Sequence, residues 1–257
     1  MSLLHNLQIA SSIAASSAAL WRGTSAFYRK GVTQPEKTLT LYEFENCPYC
    51  RLVRLALTEL HINVNIRPCP KGGKVWREEA KKIGGKAQFP LLVDENTDTV
   101  MYESTEIVQY LFNTYLGKVP NKWQPNNIKK MIAGGQVASA IRYGKGQAAK
   151  PSTQPKEPLT LYTFDSSPFG RLARERMCEL ELPYKSVNIG KEQAADMGPA
   201  NRSWNRKPYF PAKGSKRETM QDELGHISSP YLVDPNTGTQ MPESEAILAY
   251  LDKTYGK

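Results

Sequence analysis

Alternating and helical hydrophobic patterns follow one another along the chain and predict a mixed α/β unit. Residues 38–42 alternate hydroxyl and apolar side chains, which is typical of a half-buried strand. Leu52, Leu55, Ala56 and Leu60 follow with the spacing of an amphipathic helix. The rest of the unit is predicted as a strand at 64–67, a short helix near 75–83, strands at 88–93 and 99–102, and a helix over 104–115.

The same order of elements returns in the second half of the chain, which indicates an internal repeat. Thr33-Gln34-Pro35 and Thr153-Gln154-Pro155 precede the two first strands, an offset of 153 − 33 = 120 residues. At Pro90 and Pro230 the offset is 230 − 90 = 140, so the second copy holds 140 − 120 = 20 extra residues, expected between 198 and 225. These residues mix basic and aromatic side chains, and we expect a loop that caps the lobe, with a partner or nucleic-acid contact as the alternative.

The offset of 120 residues also aligns two predicted helices that precede the copies. It lays residues 9–22 over 129–142, so that Ala14 and Ala15 fall on Gly134 and Gly135. Small residues let two helix backbones approach closely, so we expect these helices to pack on each other or on the lobes. The predicted organisation is a helix and linker (1–36), lobe 1 (37–117), a basic linker with a helix (118–157) and lobe 2 (158–257).

Length and charge refine this picture. A chain of 257 residues is long enough for two domains. The net charge of +9 is concentrated in residues 1–35 and 116–158, which together sum to 11 − 1 = +10 and leave the rest of the chain at −1. The lobes themselves are therefore not basic, and nucleic-acid binding is not predicted. An anionic membrane surface, contacted through the two basic helical segments, is an alternative partner.

The most specific chemical signal is Cys47-Pro48-Tyr49-Cys50, placed between a predicted strand and helix. The helix N-terminus favours a thiolate at Cys47, and Arg51 adds positive charge, so Cys47 is the expected nucleophile. Cys69 and Cys178 form no second pair and the histidines are scattered, so no metal site is predicted. Four cysteines suit a reducing compartment and predict a cytoplasmic protein. An organelle is the alternative, if the acid-free, Ser- and Ala-rich N-terminus is a transit peptide.

With these motifs, each lobe resembles the thioredoxin-fold N-terminal domain of glutathione S-transferases, close to glutaredoxin. The whole resembles the group that has two such domains in tandem. Lobe 1 carries the glutaredoxin-type cysteine motif, a proline after Phe89 that is cis in that fold, and Glu103-Ser104 opening a helix. The resemblance covers 37–117 and 158–257. It implies an α/β protein of two tandem thioredoxin-like lobes, each preceded by a small-residue-rich helix.

The resemblance also implies a glutathione site in lobe 1. A cis proline at Pro90 would turn Phe89 so that its N–H and C=O meet an extended peptide. Ser104 at a helix start suits the γ-glutamyl carboxylate, and Glu103 suits the ammonium. The residues expected to bind glutathione are Tyr49, Arg51, Phe89, Pro90, Glu103 and Ser104. A candidate second site in lobe 2 is formed by Ser167, Arg171, Ser229, Pro230, Glu243 and Ser244.

Lobe 2 departs from the pattern, because Ser167 replaces Cys47 and Gly170 replaces Cys50. The predicted function is a glutathione-dependent thiol–disulfide oxidoreductase of glutaredoxin type. Cys47 would attack, Cys50 would resolve, and glutathione would be the co-substrate for protein or small-molecule disulfides. The alternatives are glutathione transfer using Cys47 or Ser167, a non-catalytic glutathione-binding scaffold, and a carrier of an iron–sulfur cluster.

Overall fold

The computed structural model describes residues 3–197 and 209–257, and these contain eight helices and eight strands. The helices are α1 (Leu3–Ala18), α2 (Pro48–Glu59), α3 (Trp76–Gly84), α4 (Ser104–Leu116), α5 (Pro125–Ile141), α6 (Pro168–Glu179), α7 (Lys216–Leu224) and α8 (Ser244–Tyr255). The strands are β1 (Leu39–Glu43), β2 (Val64–Pro68), β3 (Leu91–Asp94), β4 (Thr99–Met101), β5 (Leu159–Thr163), β6 (Tyr184–Asn188), β7 (Tyr231–Asp234) and β8 (Thr239–Pro242).

Both lobes have the predicted order of elements. In lobe 1, α2 connects the parallel strands β1 and β2, and the antiparallel pair β3 and β4 extends the sheet on the other side of β1. Lobe 2 repeats this arrangement with β5, α6, β6, β7 and β8. The expected α/β fold with two thioredoxin-like lobes is confirmed.

The two lobes share one sheet, in the order β4-β3-β1-β2-β6-β5-β7-β8. Strand β2 pairs with β6 in the antiparallel direction, with Ile66 opposite Tyr184. Each of these strands would be an unpaired edge in a separate lobe, where its backbone groups would attract other strands. A single hydrophobic cluster runs across the junction and includes Leu41 of lobe 1 and Leu161 of lobe 2.

The helices that precede the lobes pack crosswise. Helix α1 precedes lobe 1 but packs on α6 of lobe 2, and α5 precedes lobe 2 but packs on α2 of lobe 1. Ser12 Oγ donates to the carbonyl of Pro168, and Ser16 Oγ donates to the carbonyl of Ser166, both at 2.8 Å. The two helices also contact each other, so both of the packing arrangements expected from the small residues occur.

Small residues permit this close approach. A Cβ atom on Gly134 would lie 3.5 Å from the carbonyl oxygen of Ala18, and one on Gly135 would lie 3.2 Å from Cβ of Pro48. Helix α5 therefore lies against the N-terminus of α2, next to Cys47. Helix α1 ends earlier than predicted because Leu20 and Trp21 have φ angles of 56° and 52°, which a right-handed helix excludes.

The extra residues of lobe 2 lie before α7. Helix α7 corresponds to α3 with an offset of 216 − 76 = 140, whereas β6 corresponds to β2 with an offset of 184 − 64 = 120. The insertion therefore falls between β6 and α7. The part of the predicted capping loop at 198–208 lies outside the described residues. In the described part of the chain, no helix is long and apolar enough to cross a membrane.

Candidate functional site

Cys47 occupies the N-cap position of α2, immediately after β1 and its short loop. Its Sγ accepts a hydrogen bond from the backbone N–H of Cys50 at 3.3 Å, and Pro48 begins the helix. Proline suits the first helical position because that N–H has no partner within the helix. The sulfur thus lies at the positive end of the helix dipole, as the sequence predicted.

The same local geometry makes Cys47 acidic. The hydrogen bond from the Cys50 thiol lowers the pKa of Cys47, whereas burial raises it. The backbone N–H groups of Cys50 and Tyr49 and the positive charge of Arg54 lower the pKa further, and the net result is a pKa of about 7. Burial raises the pKa of Cys50, and the hydrogen bond to Cys47 raises it further. Near neutral pH, Cys47 is therefore partly a thiolate while Cys50 stays a thiol.

The sulfur is well covered, because Cys47 is 4% exposed and Cys50 is fully buried. Tyr49, between the two cysteines, is 46% exposed. A disulfide substrate can reach Cys47 only after local movement of the groups around it.

The other features expected around a glutathione site are also present in lobe 1. The Phe89–Pro90 bond is cis, as predicted, and no described residue is hydrogen-bonded to the N–H or C=O of Phe89. Glu103 has a φ angle of 65° and caps α4, whose first residue is Ser104. Gln88 Nε2 donates to the carboxylate of Glu103 at 2.5 Å.

Arg51, which the sequence places in the glutathione site, is engaged elsewhere. The side chain is buried, and its Nε donates to Oδ2 of Asp165 in lobe 2 at 3.1 Å. Its counterpart Arg171 is also buried and donates to the Ser12 carbonyl at 3.1 Å and to Ser16 Oγ at 3.0 Å. Both guanidinium groups hold structural elements together in this conformation, and their expected contact with glutathione stays a prediction.

These arginines belong to a buried ion network between the lobes, which we call the interlobe network. Arg54 donates through Nε to Asp165 at 3.0 Å, and its terminal nitrogens bond to the carboxylate of Glu43 and lie 3.2 Å from that of Glu45. Arg174 makes two parallel hydrogen bonds to Glu45, at 3.0 and 3.1 Å. Each lobe therefore supplies a carboxylate to the arginine of the other.

The network shifts the protonation of its acids. Burial alone would raise the pKa of Asp165, but the charges of Arg51, Arg54 and Arg174 together lower it to about 2. Burial raises the pKa of Glu43 to about 7, although Arg54 opposes this shift. Asp165 thus carries a full negative charge at neutral pH, and that charge balances the surrounding guanidinium groups.

Arg54, Arg174, Glu45 and Asp165 were not singled out from the sequence. A signal was present, because both the arginines and the acids repeat with the offset that relates the lobes, 174 − 54 = 120 and 165 − 45 = 120. Charged residues that repeat at equivalent positions of two copies indicate a buried network when both copies of the helix face the same junction.

Lobe 2 has the same framework with a different chemistry. Ser167 caps α6, its Oγ accepts from Gly170 N–H at 3.1 Å, and Ser229 Oγ donates to Ser167 Oγ at 3.0 Å. A Cβ atom on Gly170 would lie only 2.0 Å from Oγ1 of Thr163. Thr163 takes the place that Glu43 has in lobe 1. A cysteine at position 170, the equivalent of Cys50, would therefore collide with the Thr163 side chain.

Two neighbouring cavities lie in lobe 2, and Ser167 lines the first of them. One, of about 690 Å³, lies between α1 and lobe 2 and has apolar walls that include Ile13, Trp21 and Phe164. The other, of about 500 Å³, is lined by much of the candidate second site, including Ser229, Pro230, Glu243 and Ser244. Phe169 and Ser229 line both cavities.

The second-site residues are brought together only in part. The Ser229–Pro230 bond is cis, and Glu243 caps α8 with a φ angle of 71°, as Glu103 does in lobe 1. Ser244 Oγ, however, lies 3.1 Å from His5 Nε2 of α1. The first helix therefore already occupies one of the groups expected to bind a ligand carboxylate.

Comparison with known proteins gives two findings. The family model described as glutathione S-transferase, N-terminal domain, matches residues 41–118 and again residues 161–257. Among solved structures, the trimeric glutathione transferase TDR1 of Leishmania is 16% identical, and the alignment covers 86% of this chain and 69% of that chain with a TM-score of 0.28. No curated protein matches the chain.

The interlobe network predicts a large loss of stability on Asp165→Asn. The substitution keeps the shape of the side chain but removes the carboxylate charge that Arg51 and Arg54 share, so we expect a loss of about 3–5 kcal/mol in the free energy of unfolding. Urea unfolding followed by circular dichroism measures it. Asp252→Asn, which removes an exposed partner of Arg176, is the matched control and should change stability by less than about 1 kcal/mol. Equal effects of the two substitutions would contradict a structural role for the network.

The acidity of Cys47 gives a second prediction. The ultraviolet absorbance of the thiolate should titrate with a midpoint of about 7 in the native chain and be absent in Cys47→Ser. Cys69 and Cys178 have raised pKa values because they are buried, so neither contributes near neutral pH. Cys50→Ala removes the thiol hydrogen bond and should move the midpoint up toward about 8.5, the ordinary value. A midpoint unchanged by Cys50→Ala would show that the thiol pair does not set the acidity.

Proposed function

We propose, for a chain that belongs to the glutathione S-transferase N-terminal domain family in both lobes, that lobe 1 is a glutathione-dependent thiol–disulfide oxidoreductase of glutaredoxin type. The observation that carries the proposal is the position of Cys47. Its sulfur caps α2, accepts a backbone hydrogen bond, and has a pKa lowered to about 7. A thiol whose pKa lies near the ambient pH combines a high thiolate fraction with good nucleophilicity.

The reaction begins with a mixed disulfide between glutathione and a protein or small molecule. The Cys47 thiolate attacks the glutathione sulfur, the disulfide bond breaks, and the substrate leaves as a thiolate that takes up a proton from water. Cys47 is now joined to glutathione. A second glutathione thiolate attacks the glutathione sulfur of this adduct, which releases glutathione disulfide and regenerates the Cys47 thiolate.

Cys50 offers a second route for resolving the adduct. Its sulfur can attack Cys47, forming an intramolecular disulfide and releasing glutathione, after which two glutathione molecules restore the dithiol. This route requires the Cys50 thiol to lose a proton, and burial raises its pKa. The route through free glutathione avoids this step, so we assign it the main flux.

The glutathione moiety would lie along the cis-proline turn. The free N–H and C=O of Phe89, followed by Pro90, suit the backbone of the cysteinyl residue. Ser104 and the first backbone N–H groups of α4 suit the γ-glutamyl carboxylate, and Glu103 suits the ammonium. Tyr49, exposed between the cysteines, is placed to contact the bound peptide. Arg51 has no part in this arrangement.

The direct test is glutathione-coupled reduction of a small glutathione mixed disulfide, with the native chain and two variants at equivalent positions. Cys47→Ser should abolish activity, because a hydroxyl does not exchange disulfides. Ser167→Ala changes the same position of lobe 2 and should leave the rate within about twofold. Bound glutathione without turnover in the native chain would contradict an oxidoreductase and favour a transferase or a binding protein.

A second candidate function, glutathione transfer in lobe 2, is favoured by the large cavity. The apolar space of about 690 Å³ is bounded by α1 and adjoins Ser167, so the first helix supplies walls suited to an apolar substrate. Ser167 Oγ could donate a hydrogen bond to a glutathione thiolate. The engagement of Ser244 by His5 opposes this function, because the ligand would have to displace or include the histidine.

Conjugation of glutathione to an aromatic chloride measures this second function. If lobe 2 is a transferase, Ser167→Ala should lower the rate by at least about tenfold while Cys47→Ser leaves it unchanged. A conjugation rate that depends on Cys47 and not on Ser167 would assign any transferase activity to lobe 1.

A further inference from the structure

The outer surface of the α1 and α5 pair has an unusual composition. Helix α1 has no charged residue among its 16, and α5 has only Lys129 and Lys130 among its 17. By contrast, the surface helices α3 and α7 have five charged residues each among nine. Helices α1 and α5 therefore have fewer charged residues than these two surface helices.

Apolar side chains on this surface are exposed. Leu3 and Leu7 of α1 are 78% and 60% exposed, and Val137 of α5 is 53% exposed. Tyr143, just after α5, is 93% exposed. Ala10, Ala14 and Ser17 continue the stripe of exposed residues that Leu3 and Leu7 begin on α1. On α5, the exposed Ala133 and Ala140 form such a stripe with Val137. A surface helix normally turns its apolar residues toward the protein core, and exposed apolar residues that lie together often mark an interaction surface.

The two helices lie side by side and run antiparallel. Arg142 Nη1, just after α5, donates to the Gln8 carbonyl near the start of α1 at 3.0 Å. Near the other end, Gly134 lies against Ala18 and Ala19. We call the exposed residues of both stripes, with Lys129 and Lys130, the helix-pair face.

The two chain segments that carry the helix-pair face contain charges of one sign only. Residues 1–35 and 118–156 contain no Asp or Glu. Lys129 and Lys130 are exposed, and neither forms an ion pair with a residue that the structure describes. The surface thus combines an apolar strip with unneutralised lysines and has no acidic residue of its own.

We propose that the helix-pair face docks on an anionic lipid bilayer, with its apolar side chains in the headgroup region and its lysines against acidic headgroups. Exposed apolar side chains beside lysines suit a surface that docks on an anionic membrane. A second copy of this chain would bring a surface of the same sign and no counter-charge for the lysines, which disfavours a dimer through this face. The attachment is peripheral, because none of the described helices can span a bilayer.

Sedimentation with vesicles tests the proposal on the full chain. At low salt the protein should pellet with vesicles of equimolar phosphatidylcholine and phosphatidylserine, and stay in the supernatant with phosphatidylcholine alone. High salt should release a large part of it, since headgroup attraction is screened. The paired substitution Lys129→Gln and Lys130→Gln should weaken binding about thirtyfold, as expected for two basic residues at an anionic surface.

Two further variants locate the binding surface. Lys81→Gln with Lys82→Gln removes the same charge from exposed positions on α3 and should leave vesicle binding within about twofold. Leu3→Ser with Leu7→Ser should weaken binding at both salt concentrations, and circular dichroism checks that each variant is folded.

Three results would overturn the proposal. One is no pelleting of the native chain with the anionic vesicles. Another is an equal loss of binding in the two lysine pairs, which would reduce the effect to net charge. The last is a dimer in sedimentation equilibrium that dissociates in the leucine variant, which would assign the face to a second copy of the chain.

Discussion

Burial of arginine side chains between the two lobes is the constraint on which the rest of the structure depends. A guanidinium group removed from water is stable only when carboxylates pair with it and its N–H groups are satisfied. Here Arg54 of lobe 1 bonds to Asp165 of lobe 2, and Arg174 of lobe 2 bonds to Glu45 of lobe 1. Arg54 also bonds to Glu43 of its own lobe. Because each arginine nevertheless has a carboxylate partner in the opposite lobe, the charge network and the pairing of β2 with β6 stabilise the same junction.

This constraint explains the positions of the crossed helices and of the cysteines. The arginines lie on α2 and α6, whose N-termini hold Cys47 and Ser167. Helices α5 and α1 cover those same two N-termini, each from the other half of the chain. The scaffold is therefore nearly symmetric, while the chemistry is not. At the start of its helix lobe 1 has two thiols, whereas lobe 2 has a hydroxyl and a glycine at the same positions, with the large apolar cavity beside the hydroxyl.

Much of the fold could be predicted from the sequence because local patterns determine it. Alternating strands, helix caps and the repeat gave the order of elements, and the cis bond at Pro90 followed from the family resemblance. The crossed packing could not be predicted, because small residues indicate close approach without identifying the partner helix. The direction of the Arg51 side chain could not be predicted for a related reason. A charge beside a cysteine indicates a thiolate site only if it faces that site, and its direction depends on the junction between the lobes.

Mass mapping after brief exposure to glutathione disulfide shows whether Cys47 is the reacting thiol of a glutathione-dependent site. We expect one glutathione adduct, or an internal disulfide with Cys50, on the peptide that contains Cys47. Cys69 and Cys178 should stay unmodified, because both are buried and their pKa values are raised. An adduct on either of those residues, with Cys47 free, would show that Cys47 is not the reacting thiol.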